Sequence, residues 1–480
     1  MDKTPFQFDS KPLREASSPH AGALATSRVF RSLGFPELID SLLQLRQRRR
    51  GFSEAQMIES AVMLQTIGGD CPEDVHLLAG DGCLERGLGY QPPKPTALRG
   101  FLERFHDESL EQQRPPREQQ LSFIVPSSAP VQGLQQVLAG GVQRIAALYE
   151  QHDQRLSIAT IDQDATIVES QKRAAFDHYQ GGRGYQPMIA LWAEADLIVA
   201  DQFRDGNVPA KQEPLTCCQM AFEALPETVN ERYFRGDSAC YEHNLLDWLS
   251  SPQREKESGG RIGFAVSAMM SPQLAQTIAE IPDTEWTTYD TEPDGTLRQW
   301  AEVVYVPSKK SEHKYSQPLR YVGLRLLKAQ GVLFADGSDR HHYAVVTNLD
   351  WDAARLLQWH REKAGTVEHA HDELKNGLAA GHMPSQRFAV NATWLKLAIL
   401  SYNLASAIKG LCFSPEERTA RFKKYRLLLV HVAGRMNRNN CVMRLRLCAG
   451  EQTIARIEAV WKVFWLPTQA SRTKPWPRAA

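Results

Sequence analysis

From about residue 26 to residue 110 the hydrophobic positions recur every three or four residues, the period of helices buried along one face. Ser53 and Gln56 make a capping-box pattern that opens FSEAQMIESAVMLQTIGG, and the segment stops on Gly68 and Gly69. Pro72 is placed to start a short helix reaching Leu78. Thr96 is placed to cap TALRGFLERF, whose Leu98, Phe101, Leu102 and Phe105 share a face. The stretch 113–133, with RPPRE and VPSSAP, reads as a linker, and a helix over 131–151 follows it.

Beyond residue 151 the apolar pattern shortens to that of strands. RLSIATIDQDAT is β-rich, and YQPMIALWAEADLIVADQFRDG reads as two strands around a Glu-Ala-Asp turn. Then come a helix (KQEPLTCCQMAFEALPETV), a strand (RYFRGDSA), a helix (EHNLLDWLSS) and a strand (RIGFAVSAM). Three strands, helix, strand, helix, strand is the order of an RNase H-like sheet, whose topology sets the first and fourth strands side by side. Four further β segments, WTTYDTE, LRQWAEVVYVP, LRYVGLRLL and HYAVVTNL, make a stretch too long and strand-rich for a loop, and predict an inserted β subdomain. Helices follow, including FAVNATWLKLAILSYNLASAIKGL, and then a basic tail. The predicted fold is therefore α/β: an RNase H-like catalytic domain with an inserted β subdomain, preceded by an N-terminal α-helical domain. The expected divisions are a flexible N-terminus (1–25), a helical domain (26–112), a linker and connecting helix (113–150), the first part of the catalytic core (151–270), the insertion (271–350), the second part of the core (351–410) and a basic C-terminal region (411–480).

Composition adds little until it is resolved along the chain. With 480 residues, 42% hydrophobic and 23% charged, the sequence has room for two or three cores and is not that of a disordered protein. The 56 basic and 56 acidic residues cancel, yet the basic ones cluster. Arg46, Arg48, Arg49 and Arg50 form one group. Residues 409–446 carry Lys409, Arg418, Arg421, Lys423, Lys424, Arg426, Arg435, Arg438, Arg444 and Arg446 against Glu416 and Glu417. Such runs can neutralise phosphates or simply form a solvated face. Eight cysteines without a Cys-x-x-Cys pair point to buried thiols in a reducing compartment. No apolar signal core and no stretch of ~20 apolar residues occurs, which predicts a cytoplasmic protein with no membrane partner.

Three carboxylates carry the chemistry: Asp164 in IDQDAT, Asp237 in FRGDSAC and Glu368 in KAGTVEHAHDELK. Asp162, Asp164 and Thr166 alternate along one strand and so face one way, with Asp162 on its buried side. On the helix after Gly365, Val367, Ala370, Leu374 and Leu378 make an apolar stripe, and Glu368, Asp372 and Lys375 fall on the adjoining face. Brought together, three such acids suit two divalent ions, and two ions can drive attack on a phosphodiester. No His or Cys stands at zinc spacing; His369 and His371 lack partners in the sequence. In the helical segment, Arg99 and Arg104, with Lys94 just before, make the third helix basic: a helix-turn-helix-like DNA reader or a plain packing unit.

Taken in order, DAT (164–166), GYQPM (184–188), RDGN (204–207), RGDS (235–238), VTNL (346–349), Glu368-x6-Lys375, VNATW and SYNL resemble the DDE transposases of bacterial insertion sequences, in the group called transposase DDE domain group 1, over roughly residues 25–450. The resemblance implies Asp164, Asp237 and Glu368 as the metal-binding triad for two Mg²⁺ ions, with Mn²⁺ able to substitute, and Lys375 as a DNA contact. Arg204 of RDGN joins the DNA-contact set. Where the wider superfamily carries a Tyr-x2-Arg-x3 stretch before the Glu, this chain has Arg361 and Ala364, with Lys363 one position earlier as a point charge in place of a two-pronged donor. In relatives with a β insertion, an aromatic side chain stacks on a flipped base; Trp286, Trp300 and Trp351 are the candidates, or else core residues. The implied activity is binding of terminal inverted repeats followed by metal-dependent cleavage and strand transfer. The implied partners are double-stranded transposon-end and target DNA and a second copy of the chain in a homodimeric synaptic complex. The implied location is the nucleoid. The alternatives are an RNase H-like nuclease that does not join strands, and a catalytically silent DNA-binding derivative.

Overall fold

The computed structural model describes residues 16–46, 51–257, 259–307, 319–439 and 442–465. Arg48, Arg49, Arg50 and Cys441, and the parts of the flexible N-terminus and basic tail at 1–15 and 466–480, lie outside the described residues. Two compact units are present. One comprises residues 104–376 and 380–406; the other comprises 1–103, 377–379 and 407–480.

The larger unit is built on a nine-stranded mixed sheet. Its strands are β1 (Ile158–Ala165), β2 (Met188–Trp192), β3 (Leu197–Gln202), β4 (Glu231–Gly236), β5 (Ile262–Ser267), β6 (Thr287–Thr291), β7 (Leu297–Val303), β8 (Arg320–Leu327) and β9 (Arg340–Thr347). Across the sheet they run β6-β7-β8-β9-β5-β4-β1-β2-β3. β1, β2 and β3 form an antiparallel meander, whereas β4 lies parallel to β1 and β5 parallel to β4. The expected adjacency of first and fourth strands is therefore present. The four strands expected as an inserted subdomain, β6 to β9, continue the same sheet, each antiparallel to its neighbour, starting where β9 pairs with β5.

Helices cover this sheet: α1 (Ala129–Gln151), α2 (Pro214–Glu223), α3 (His243–Ser250), α4 (Ala353–Arg361), α5 (Lys363–Asp372) and α6 (Phe388–Cys412), of which residues up to Ser406 belong to this unit. α1 starts two residues before the predicted point because Ser128 caps it, accepting from the Val131 N–H at 3.4 Å. β1, β2 and β3 are buried on both faces, as expected of central strands under helices. The predicted linker is partly docked: the Arg114 guanidinium donates to Asp205 at 2.8 Å and lies over the Phe176 ring.

In the smaller unit the helix Glu54–Ile67 carries the predicted capping box, with Ser53 accepting from the Gln56 N–H at 3.0 Å and Gln56 from the Ser53 N–H at 2.9 Å. It ends on left-handed Gly68. The predicted cap at Thr96 is corrected: the helix Pro95–Leu102 begins with Pro95 in its first turn and Lys94 before it. Proline has no N–H to cap and a preset φ, so it takes the first helical position. A hairpin, Gly434–Asn439 with Val442–Leu447, and a helix, Glu451–Val463, stand where only a basic tail was predicted. The hairpin pairs with Ser17–Ser18. Gly22 has to be glycine, since a Cβ there would overlap the Leu429 carbonyl oxygen.

Among the described residues no helix is long and apolar enough to cross a membrane. No disulfide occurs among them; Cys83, Cys217, Cys218 and Cys240 are buried as expected, whereas Cys448 is exposed.

Candidate active site

The register of two strands places the first two carboxylates. In the parallel β1–β4 pair Asp162 faces Arg235 and Gln163 faces Gly236, so the next step sets Asp164 opposite Asp237 at the strand ends. A buried ion pair ties these two strands together. The Arg235 guanidinium donates to both Asp162 oxygens at 2.6 and 2.8 Å, with neither side chain more than 2% exposed. The same guanidinium donates to the Trp359 carbonyl and to Glu362 and lies over the Trp359 ring, which ties the helix junction to the sheet. Two residues beyond each partner of this pair stands an aspartate, on the same face because strand side chains alternate.

Asp164 and Asp237 share one cation. The Lys363 ammonium lies 3.5 Å from Asp164 and is almost fully buried. Burial pushes that ammonium down, but the charges of Asp164 and Asp237 more than offset it, so it stays protonated above its ordinary range. Burial also pushes the Asp237 carboxyl up, opposed by Lys363 and reinforced by Asp164.

α5 reaches along β1 through four side chains. Thr366 donates to Asp162, Lys363 pairs with Asp164, His371 stands 3.9 Å from Asp164, and Lys375 donates to the Thr166 hydroxyl at 3.0 Å. His371 is pushed down to about 3 by burial and then by Lys375 and Lys363, so its ring is neutral. His360 on α4 donates Nε2–H to the Gly236 carbonyl at 3.0 Å and is pushed down to about 4, mainly by burial. The apolar stripe is as predicted, with Val367, Ala370, Leu374 and Leu378 all buried. α5 then widens into a π turn over Glu373–Gly377, which carries Lys375.

Glu368 does not join the two aspartates. It is exposed on α5, one residue past Val367, and Asp372 on the same side accepts from Asn376. Among the described residues no three His, Cys, Asp or Glu side chains come close enough to hold a metal ion. The donor set thus fits a divalent cation in part. Asp164 and Asp237 offer hard oxygens at one edge beside a positive charge, and the third carboxylate, exposed on α5, does not lie within a shared coordination distance of them.

The other expected residues are placed as follows. Arg204 is completely buried, donating to Gln202 and to the Ala210 and Glu213 carbonyls, so the expectation of an outward-facing contact is corrected and it clamps its own loop. Lys363 is turned inward on Asp164. Arg361 is exposed and pairs with Asp290 at 3.3 Å. Trp286 is buried with the Arg325 guanidinium over its ring. Trp300 and Trp351 pack against the cluster formed by Val322, Val345 and Leu356. Trp286 is thus a core residue, whereas Trp300 and Trp351 are half-buried at the edge of that cluster. Arg99 is exposed and paired with Glu73, and Arg104 is exposed.

Arg235, Thr366, His360 and Trp359 were not singled out from the sequence. The usable signal was a charged residue two positions before each strand-end aspartate inside an otherwise apolar strand. Beside Asp237 lies a cavity of about 460 Å³ lined by Met269, Tyr289, Arg298, Tyr343 and Arg361, among others.

The family described as transposase DDE domain group 1 matches residues 14–462 of the chain. Among solved structures, a cryo-electron-microscopy structure of a piggyBac transposase synaptic complex with hairpin DNA is similar at 10% identity, over 85% of this chain and 79% of that one, with a TM-score of 0.41. No curated protein matches the chain.

Proposed function

The chain belongs to the transposase DDE domain group 1 family, and from that premise we propose that it cleaves the ends of an insertion sequence and joins them to target DNA. The observation that carries this reading is the pairing of Asp164 with Asp237 at the ends of two parallel strands, under a single buried cation. The proposed site is RNase H-like, with Asp164, Asp237 and Glu368 as ligands of two Mg²⁺ ions, or Mn²⁺ in their place. Bound there, the ions would supply Lewis-acid activation of a water or 3′-hydroxyl nucleophile and stabilisation of the leaving oxygen.

The chain's own residues do the rest. The Arg235–Asp162 pair ties the two strands together beside the site, and the Lys363 ammonium balances the charge of the two aspartates. Glu368, exposed on α5 one residue past the buried Val367, would supply the third carboxylate. Lys375, held beside the strand end by Thr166, meets a phosphate. With Trp286 in the core and Trp300 and Trp351 packed half-buried against it, the cavity beside Asp237, lined by Tyr289, Tyr343 and Arg361, is the place for an unstacked base. Arg99 and Arg104 contact the duplex ends, and two chains pair them in a synaptic dimer, in the cytoplasm at the nucleoid.

The test is a nicking and joining assay on DNA carrying the element's terminal repeats. Asp164→Asn, Asp237→Asn and Glu368→Gln should each abolish nicking while leaving the melting temperature within a few degrees of wild type. Chelation should stop the reaction, and Mg²⁺ or Mn²⁺, not Zn²⁺, should restore it. Nicking without joining of a pre-cut 3′-hydroxyl end would make the chain a nuclease. Full activity of the Glu368→Gln variant would remove that residue from the site.

A further inference from the structure

In the hairpin Gly434–Asn439 and Val442–Leu447, the register sets Arg435 opposite Arg446 and Asn437 opposite Arg444. Directly paired side chains on antiparallel strands share a face. One face of this ribbon therefore presents three arginines and an asparagine, and neither strand contains an acidic residue. The opposite face is the attached one. Met436 there is buried, Arg86 donates to its carbonyl at 3.2 Å, and a Cβ on Gly434 would press on Ala21 and Leu447. Ser17–Ser18 covers one edge of the ribbon, while Val442–Leu447 is the open edge, with Arg444 and Arg446 exposed.

Two arginines set in register opposite each other are the reverse of the opposite-charge pairs that favour a ladder. Charged residues on an open strand do blunt aggregation, but that purpose does not require both strands to put only cationic and amide groups on one face. A dense negative partner does explain it. A two-stranded ribbon fits the major groove, arginine and asparagine are the side chains that make paired hydrogen bonds to guanine and adenine edges, and six residues per strand span roughly 20 Å of groove.

We propose that this hairpin is a β-ribbon reader that lies in the major groove of duplex DNA, with Arg444 and Arg446 on phosphates or guanine edges and Asn437 on a base edge. It is a second DNA-contacting element, distinct from the carboxylate site and from Arg99 and Arg104. The inference rests on the transposase reading.

The experiment uses the full chain and a fluorescent duplex of the terminal repeat, with anisotropy measured across a salt series. For Arg444→Ala/Arg446→Ala the affinity should fall at least tenfold, and the slope of log K against log salt should shrink by about two, since each phosphate contact contributes roughly 0.9. Its melting temperature should stay within a few degrees of wild type, since both side chains are exposed; a purely structural role would lower it. Asn437→Ala should narrow the gap between repeat and scrambled duplex with the slope unchanged. Affinity within twofold of wild type and an unaltered slope would overturn the proposal, as would equal loss on single-stranded RNA, which would assign the ribbon to another nucleic acid. If wild type itself neither binds nor nicks the repeat, the transposase reading fails. If wild type does both and the double variant does too, only the ribbon proposal fails.

Discussion

Replacing Arg235 with methionine isolates what the buried ion pair contributes between the two aspartate-bearing strands. Arg235 and Asp162 are at most 2% exposed and joined by two charge-assisted hydrogen bonds of 2.6 and 2.8 Å. Removing the guanidinium leaves Asp162 buried with Thr366 as its remaining donor. Breaking a buried pair from one side costs about 3–5 kcal/mol, because the orphaned charge cannot reach water. Methionine fills much of the arginine stem, so a cavity contributes little. A chain of two compact units need not unfold in one step, so the measurement is local: hydrogen exchange of the β1 and β4 amides, together with the denaturation midpoint of the transition that carries them. The Arg235→Met variant should lose about 3–5 kcal/mol of protection in these strands. Arg235→Met with Asp162→Val should recover most of it, since an apolar pair of similar volume is near neutral. The recovered double variant should fold and yet nick DNA poorly, because the ladder then keeps the register while the side-chain clamp between the aspartates' strands and the α4–α5 junction is gone. A loss under about 1 kcal/mol in the single variant, or no recovery in the double, would refute the reasoning.

Three further outcomes are expected. His360 is buried neutral and pushed down to about 4 from an ordinary 6.5. The unfolded chain therefore takes up a proton first as pH falls, and the stability present above about pH 6.5 is lost progressively toward about pH 4. Comparing urea midpoints across that window, His360→Gln should flatten the curve by about 3 kcal/mol; an unchanged slope would remove His360 from the account. Trp286→Ala should destabilise the β6–β9 strands by about 3 kcal/mol through loss of buried volume and of its contact with Arg325, whereas Tyr343→Ala, at a 45% exposed position, should leave stability within about 1 kcal/mol and slow nicking; thermal melts and rates on the same samples decide it. Arg99→Ala and Arg104→Ala should each reduce the salt slope of end binding by about one in the full chain, and no change in either would leave the helical segment a packing unit.

The sheet was readable from the chain because its strands are short apolar runs bounded by turn residues, and because local chemistry dominates at their ends. The capping box at Ser53 and Gln56, the stop at Gly68, the meander through Asp196 and the apolar stripe on α5 are all statements about neighbours within one or two turns. The hairpin at 434–447 escaped notice because its apolar side is only half of a weak alternation, and its basic residues mask the period.

What the residues alone determined was which groups could do chemistry: two aspartates at strand ends and a glutamate on an amphipathic helix. What only the tertiary structure decided was where long charged side chains point. Lysine and arginine reach several ångströms from the backbone, and their direction depends on partners far away in sequence. Lys363 turns in to Asp164, Arg204 folds back under its own loop, and Arg235 spans from β4 to Asp162 and the α4–α5 junction. The same holds for Glu368, whose exposure is set by which face of α5 the sheet buries, for Trp286, which is buried under Arg325, and for Trp300 and Trp351, which pack half-buried against the cluster of Val322, Val345 and Leu356. Periodicity assigns a residue to a face; only packing assigns the face to a partner.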